Sequence, residues 1–251
     1  MQDKQTSDED LKRIVHETIK RGGKVLIPTL GVGRSQEIML VIENMVRMGV
    51  MEKIPIFIDG LIWDVTAIHT AYPEFLNNLI RKLIFHKDQN PFLSDIFKRV
   101  GSQEERRQII EETGPCVILA TSGMLQGGPS VEYLRHLADN PKNSMVFVNY
   151  QGEGSLGRRI QRGEREYNVG NGNGKNEIVQ IKLEVHTVEG FSGHSNRTQL
   201  INFVAKCEPR PKKIIVNHGE SSRCLDLASS LHKNFRVETL APRNLEVVRV
   251  K

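Results

Sequence analysis

Cysteine is scarce in this chain of 251 residues. The three cysteines, Cys116, Cys207 and Cys224, are an odd number and form no CxxC spacing. A disulfide framework and a zinc site built from cysteines therefore find no support. We expect all three side chains to be reduced thiols in the core.

Long hydrophobic runs are also missing. No apolar stretch approaches the roughly 18 residues that suggest a membrane span, and the amino-terminal MQDKQTSDED lacks the apolar core of a secretory signal. The phosphate-binding motif GxxxxGK[ST] is absent as well. These absences predict a cytoplasmic protein that has no membrane partner and does not use P-loop chemistry on nucleotides.

What is present is typical of a globular protein. Hydrophobic residues make up 38% of the chain and charged residues 26%. The net charge of +5 favours a phosphate-bearing partner, because a basic surface releases counterions from a polyanion. Since many modestly basic proteins never bind nucleic acid, this charge only adds weight to other signals.

Short apolar runs alternate with amphipathic segments over the first 150 residues. This alternation predicts βαβ units and a mostly parallel α/β sheet flanked by helices. The predicted strands are 24–28, 54–58, 115–120 and 144–150, and the predicted helices are 7–21, 35–48, 61–69, 104–112 and 130–138. Asp59 is predicted to cap the helix at 61–69, and the charged helix at 104–112 is predicted to present a solvated face.

The last third of the chain has a different pattern. Its NVGNGNGKN segment at 168–176 predicts a flexible hairpin or linker. Period-two alternation predicts one half-exposed strand at 178–188, and an apolar run predicts a buried strand at 212–217. A helix at 222–233 and closing strands at 237 and 245–250 complete the prediction.

Three glycine-containing turns are candidate phosphate sites. Gly31-x-Gly33 leads into a helix and would present Arg34, although a purely structural turn explains the same pattern. The Thr121-Ser122-Gly123-Met124 segment after a predicted strand offers hydroxyls and bare amides for an oxyanion. Arg158 opens an arginine cluster after another glycine-rich turn, which suits phosphate contact as well as it suits a solvated basic helix.

Two histidines stand at equivalent places near the end of the chain. His194 follows Gly190-Phe191-Ser192-Gly193 just before a predicted helix, and His218 follows the strand predicted at 212–217. Ligands bind beyond the carboxyl ends of strands in open α/β sheets, so both imidazoles could point into one site. The alternative, that each ring satisfies only local backbone groups, is equally consistent with the spacing.

Several of these segments resemble the β-CASP branch of the metallo-β-lactamase superfamily, and most closely its archaeal cleavage and polyadenylation specificity factors. The motifs are EGFSGHSNRTQL, IIVNHGE, KVLIPTLGVGRSQEIMLVI, PCVILATSGMLQGGPSVEYLRHLA and NYQGEGSLGRRIQRG. The resemblance implies a β-CASP domain at 1–186 and the carboxyl-terminal strands and helices of the lactamase fold at 187–251. It also implies that Ser122, Gly123 and Met124 hold RNA backbone, that His218 is a zinc ligand and that His194 contacts the scissile phosphate or protonates the leaving group.

The resemblance also identifies what this chain does not contain. The family's HxHxDH run and its remaining zinc ligands are absent, and no HxH occurs anywhere in the sequence. A site with two Zn²⁺ ions needs more ligands than remain, so we expect this chain alone to bind zinc poorly and to cleave nothing. The expected partners are RNA, the missing amino-terminal lactamase segment and a second copy of the chain paired through its carboxyl-terminal tail.

The resemblance therefore predicts one part of a zinc-dependent ribonuclease that acts in mRNA 3′-end processing or RNA decay. This part would bind the RNA backbone and complete the site. The alternative is a non-catalytic RNA-binding or scaffold module of the same superfamily.

Overall fold

The computed structural model describes residues 4–170, 176–191 and 193–250. The chain divides into two compact units, Met1–Ser192 and Gly193–Lys251. The middle of the predicted hairpin or linker, residues 171–175, lies outside the described residues.

The first unit is built on a six-stranded sheet. Its strands are β1 (Val25–Pro28), β2 (Ile56–Asp59), β3 (Phe97–Val100), β4 (Val117–Ala120), β5 (Ser144–Phe147) and β8 (Glu184–Thr187). They lie in the order β3-β2-β4-β1-β5-β8, and every neighbouring pair is parallel. The predicted mostly parallel α/β sheet is confirmed.

Helices connect these strands, as parallel pairing requires. They are α1 (Lys4–Lys20), α2 (Arg34–Arg47), α3 (Ile62–Ala71), α4 (Asn78–Lys87), α5 (Gln103–Glu111), α6 (Pro129–Leu137) and α7 (Leu156–Gln161), with 3-10 turns at Pro73–Phe75 and Pro91–Leu93. Among the described residues, no helix combines the length and the apolarity needed to cross a membrane.

The central strands are buried on both faces, which explains their uninterrupted apolar sequences. VLIP, VILA and SMVF are buried at every position. Successive side chains of β1 enter opposite halves of the core: Val25 and Ile27 pack in one hydrophobic cluster and Leu26 packs in the other. The sheet is therefore the middle layer of three.

The single strand predicted at 178–188 is wrong. The segment instead contributes β7 (Asn176–Gln180) to an antiparallel hairpin with β6 (Glu166–Gly170), and then β8 to the main sheet. Between them, the N–H groups of Lys182 and Leu183 both donate to the Ala138 carbonyl, at 2.7 and 2.9 Å. These bonds turn the backbone away from the hairpin, although apolar and polar residues continue to alternate in the sequence.

The capping role predicted for Asp59 is also wrong. Asp59 is buried, and its carboxylate accepts two hydrogen bonds from Arg106, from Nε at 2.7 Å and from Nη2 at 3.1 Å. Tyr133 donates a third at 3.0 Å. Arg106 belongs to α5, so these bonds hold that helix to the end of β2. The other charged residues of α5 are exposed, as predicted.

The second unit contains α8 (Arg197–Ala205), β9 (Lys213–Ile215), α9 (Ser221–Phe235) and β10 (Glu238–Leu240). β9 pairs with β10 in parallel, in register from Lys213 opposite Glu238 to Ile215 opposite Leu240. β9 is only partly buried, so the burial predicted for the strand at 212–217 is wrong. The sheet that contains β9 has two strands among the described residues, and this small sheet leaves β9 partly exposed. Residues 245–250 form no strand, contrary to the prediction.

The cysteine prediction holds for two of the three thiols. All three are free, and Cys116 and Cys224 are buried. Cys207 is only half-buried, since it follows the end of α8, where its Sγ lies 3.3 Å from the Phe203 carbonyl.

Two buried tyrosines differ in their hydrogen bonding. Tyr133 donates to Asp59, whereas the hydroxyl of Tyr167, in β6, is buried with no hydrogen-bond partner among the described residues. Burial disfavours the tyrosinate and raises the pKa of Tyr167 to about 12. Folding therefore leaves this hydroxyl without the hydrogen bonds it makes in water.

We predict that Tyr167→Phe stabilises the protein and that the matched Tyr133→Phe destabilises it. Removing an unsatisfied buried hydroxyl should gain about 1 kcal/mol, and removing a hydrogen bond to a carboxylate should cost about 1.5 kcal/mol. Denaturant unfolding of both variants measures the difference.

The pH dependence of the same variants provides a second measurement. An unfolded tyrosine ionises near pH 10, about two units below folded Tyr167, so the unfolded state binds fewer protons between these values. Stability should therefore fall as pH rises from about 10 to 12, and Tyr167→Phe should lessen that fall. An equal fall in the variant would contradict this origin.

Candidate functional site

Three neighbouring strands of the first unit end side by side. β4, β1 and β5 are adjacent and parallel, so the segments after Ala120, Pro28 and Phe147 leave the sheet at the same edge. Such an edge is where ligands bind in open α/β sheets. The predicted Ser122-Gly123-Met124 loop follows β4, and the Gly31–Gly33 turn follows β1.

Gly123 occupies the tightest place in this loop. A Cβ at this residue would lie 2.8 Å from Asn149 Nδ2 and 3.0 Å from the Thr29 carbonyl carbon, so a larger residue would displace the neighbouring segments. The carbonyl of Ser122 accepts a hydrogen bond from Ser130 Oγ at 2.8 Å, and Ser122 Oγ accepts one from the Gln126 N–H at 3.0 Å. The loop is thus pinned to the start of α6 and to the end of β1.

Gln151 links this loop to the arginine helix, α7. Its Nε2 donates to the Gly123 carbonyl at 2.7 Å, and its side chain is 1% exposed. A Cβ at Gly157 would lie 1.8 Å from Gln151 Oε1, so a larger residue at 157 would have to displace the Gln151 side chain. Gln151 was not predicted as a site residue, since a lone glutamine after a strand has no distinguishing motif.

Unsatisfied polar atoms collect at this edge. Thr29 Oγ1, Asn149 Oδ1 and Gln151 Oε1 are buried and have no hydrogen-bond partner among the described residues. Buried polar atoms are normally paired, with protein or with ordered water. The edge can therefore accept further hydrogen bonds from water or from a polar ligand.

Arg34 is less available than its position in the sequence suggests. Its Nη1 pairs with Glu37, and its guanidinium carbon lies 6.0 Å from the centre of the Phe191 ring. The side chain is 12% exposed. A phosphate would therefore reach only part of this guanidinium.

Arg158 differs from the other arginines of its cluster. Arg159 pairs with Glu164 and Arg162 pairs with Glu153, whereas Arg165 donates to the carbonyls of Ile160 and Glu164. Within the described part of the chain Arg158 pairs with no carboxylate, and its buried Nε has no partner. It thus carries a positive charge that no neighbouring carboxylate neutralises.

The second unit brings the two predicted histidines together. The rings of His194 and His218 are nearly parallel, with an interplanar angle of 13° and a centroid separation of 6.0 Å. Both residues are exposed. His194 precedes α8, which Asn196 caps through the N–H of Gln199, and His218 follows β9.

His218 has an uncommon backbone conformation. Its φ is 63°, in the left-handed region that few residues other than glycine adopt. Such conformations are kept where the surrounding structure requires them, and they concentrate at functional sites.

Two family models match the chain, and the second match crosses the boundary between the two units. Residues 35–160 match the model of the Beta-Casp domain, which covers half of the chain. The chain belongs to the Beta-Casp family. Residues 178–242 match a second model, described as the Zn-dependent metallo-hydrolase RNA specificity domain.

Similar curated proteins are archaeal. The chain is 53% identical over 248 residues to the transcription termination factor FttA of Thermococcus kodakarensis, and 53% identical over 249 residues to that of Methanocaldococcus jannaschii. It is 54% identical over 248 residues to the FttA of a Lokiarchaeum species. Each match covers 99% of this chain and 38% or 39% of the relative, so this Beta-Casp chain spans well under half of their length.

The zinc named in the second family description does not fit the described residues by themselves. A catalytic zinc site uses three protein ligands and an open position. No group of three or more His, Cys, Asp or Glu side chains in the described ranges could hold a metal ion. Within those ranges His194 and His218 form a pair without a third such ligand.

We predict that His218→Gly is more stable than His218→Ala by about 1 kcal/mol. Both variants lack the imidazole, but only alanine keeps the penalty of a Cβ at positive φ. Chemical denaturation in the absence of metal measures the difference.

Asn217 provides the matched control, because it does not share the left-handed conformation. There we expect the order to reverse, with Asn217→Ala more stable than Asn217→Gly. Equal stability of the two His218 variants would show that the backbone relaxes freely.

Proposed function

We propose that this chain is the RNA-binding and site-completing part of a zinc-dependent ribonuclease that hydrolyses phosphodiester bonds. In this proposal residues 1–186 form the β-CASP domain, and 187–251 form the carboxyl-terminal part of a metallo-β-lactamase domain. The convergence of the two exposed histidine rings is the observation that carries the proposal. The name of the relatives suggests that the RNA is a transcript at termination.

The first unit would hold the RNA backbone. Ser122, Gly123 and Met124 offer a hydroxyl and backbone groups, and the pinned loop holds them in place without a substrate. Arg158 and the accessible part of Arg34 would supply positive charge to phosphate oxygens. None of these groups distinguishes one base from another, so binding should depend little on sequence.

The second unit would act at the scissile bond. An exposed imidazolium at His194 can donate a hydrogen bond to a phosphate oxygen, or a proton to the leaving oxygen. His218 would contribute one zinc ligand, with the other ligands supplied by a lactamase segment that this chain does not include. Holding the two rings nearly parallel would place both beside one phosphate.

A non-catalytic RNA-binding module is the second candidate. The lack of a three-ligand metal group in the described ranges favours it. The two candidates differ in whether the imidazoles are needed once the lactamase segment is present. Loss of cleavage, with RNA binding retained, in a His194→Ala protein that includes that segment would support the ribonuclease.

We also propose that two copies of the chain associate through the tail. Residues 245–250 form no strand here, and Leu245, Val247 and Val250 are exposed. Exposed apolar residues in a segment that forms no strand of its own can pair with a second copy. Analytical ultracentrifugation of the protein, with and without residues 244–251, would show whether the tail is needed.

We predict that Arg158→Gln weakens binding to single-stranded RNA about fivefold at low salt, whereas Arg159→Gln does not. Arg158 has no carboxylate to neutralise it, while Arg159 is already paired with Glu164. Each lost phosphate contact should also lower the slope of log Kd against log salt by about 0.7.

Fluorescence anisotropy with a labelled RNA measures both the affinity and the slope. The two variants change net charge equally, so a general charge effect would weaken both by the same amount. Equal weakening would remove Arg158 from the proposed site.

We further predict that the 251-residue chain does not cleave RNA, with or without added zinc. The described residues leave the zinc ligand set incomplete. Gel analysis of labelled RNA with zinc or with a chelator tests this. Cleavage that the chelator abolishes would contradict the proposed division of the site.

A further inference from the structure

The net positive charge of the protein resides entirely in its second unit. Gly193–Lys251 contains eleven Lys or Arg residues and five Asp or Glu residues, a net charge of +6. Since the whole chain carries +5, Met1–Ser192 carries −1. The unit with the candidate phosphate loops is therefore close to neutral, and the small unit is strongly basic.

Much of that charge gathers at one end of the second unit. We name this group of cations the basic end. Its members are exposed and lie where the two helices end and the two strands begin. They are Lys206, Arg210, Lys212, Lys233 and Arg236. Lys206 follows the last residue of α8, and Arg236 follows the last residue of α9.

The pairing of β9 with β10 brings three of these cations close together. Lys213 lies opposite Glu238, so Lys212 and Arg236 approach the start of neighbouring strands, which run about 4.8 Å apart. The guanidinium of Arg210 lies 5.5 Å from the centre of the Phe235 ring, next to Arg236 in the chain. The backbone segments that carry Arg210, Lys212 and Arg236 therefore lie next to one another at this end of the unit.

These cations are not neutralised locally. Acidic residues of this unit pair with other cations: Glu238 with Lys213, Asp226 with Arg197, and Glu220 with Arg223. In the described ranges, no member of the basic end pairs with a carboxylate. The connection between α8 and β9 contains one acidic residue, Glu208. A surface of this kind would attract a polyanion.

The attraction of cations to the negative carboxyl-terminal ends of helices does not account for all members of the basic end. Lys206, Lys233 and Arg236 lie at helix ends, where cations are favoured. Arg210 and Lys212 lie in the connection between α8 and β9, outside both helices. Their positions need another explanation.

The basic end is also separate from the histidine pair. Lys212 precedes β9, whereas His218 follows it, so the two features lie at opposite ends of that strand. An aromatic group accompanies the cations: Phe203 is 70% exposed and lies three residues before Lys206, at the same face of α8. Cations beside an exposed aromatic ring are typical of surfaces that bind single-stranded nucleic acid.

We infer that the basic end is a second RNA-binding surface, which contacts the backbone of single-stranded RNA beyond the segment held near the histidines. This inference rests on the proposed function and adds to it a surface and its residues. The guanidinium and ammonium groups would contact phosphates, and Phe203 would stack on a base. The surface would tether RNA without reading its sequence.

The test compares two double variants of the full chain. Arg210→Gln with Lys212→Gln should weaken binding to a single-stranded RNA of about 20 nucleotides roughly tenfold or more, and should lower the salt slope by about 1.4. The control, Arg13→Gln with Arg107→Gln, removes the same charge at exposed positions of the first unit that pair with neighbouring carboxylates. It should leave both quantities nearly unchanged.

A further variant separates stacking from charge. Phe203→Ala should weaken binding to RNA and leave binding to inorganic polyphosphate unchanged, because polyphosphate has no bases. Circular dichroism and thermal unfolding would establish that each variant is folded.

The outcomes distinguish this inference from the proposed function. If Arg158→Gln weakens RNA binding and the Arg210 and Lys212 variant matches its control, the second surface is overturned while the proposed function stands. If the chain binds no RNA, both fail. If the double variant retains RNA affinity but loses affinity for polyglutamate, the surface serves an acidic protein and the RNA assignment is wrong.

Discussion

The parallel pairing of β4, β1 and β5 is the constraint on which the rest of the first unit depends. All three strands are buried along their length, so their order and register leave little freedom to the segments that follow them. Because parallel strands end at one edge, three loops that are distant in the sequence become neighbours there. The candidate phosphate site is a consequence of this pairing.

Close packing then places those loops with little tolerance. Gly123 and Gly157 lie where a Cβ would meet Asn149 and Gln151, and the Gln151 side chain holds the carbonyl of Gly123. The same packing leaves three buried polar atoms without partners at this edge. Two of these atoms are amide oxygens, which only accept hydrogen bonds, so they would be satisfied by water or by an N–H or O–H group of a ligand and not by a phosphate oxygen.

The two units differ in how their charged side chains are paired. In the first unit, Arg34, Arg159 and Arg162 are paired with carboxylates, whereas Arg158 and Arg165 pair with none among the described residues, and Arg165 donates to backbone carbonyls instead. In the second unit the histidine pair lies at one end of β9, and cations that pair with no carboxylate among the described residues lie at the other. The proposed proton transfer and the proposed attraction of RNA therefore involve different places in this unit.

Much of the local structure could be predicted from the sequence. Apolar runs bounded by glycine and proline located β1, β2, β4 and β5, and their alternation with helices predicted a parallel sheet. Burial on both faces of a sheet leaves a signal that is contiguous in the chain. The motifs around His194 and His218 similarly indicated the family to which the chain belongs.

The failures share a cause. The pattern at 178–188 could not reveal that two successive strands join different sheets, and the charge run of α5 could not reveal that Arg106 turns inward to Asp59. The role of Gln151 and the pairing state of each arginine were equally hidden. The sequence by itself determined where the central strands β1, β2, β4 and β5 and most of the helices form, because those depend on neighbouring residues. Only the tertiary structure decided which charges are neutralised and which loops meet, because those depend on partners far away in the chain.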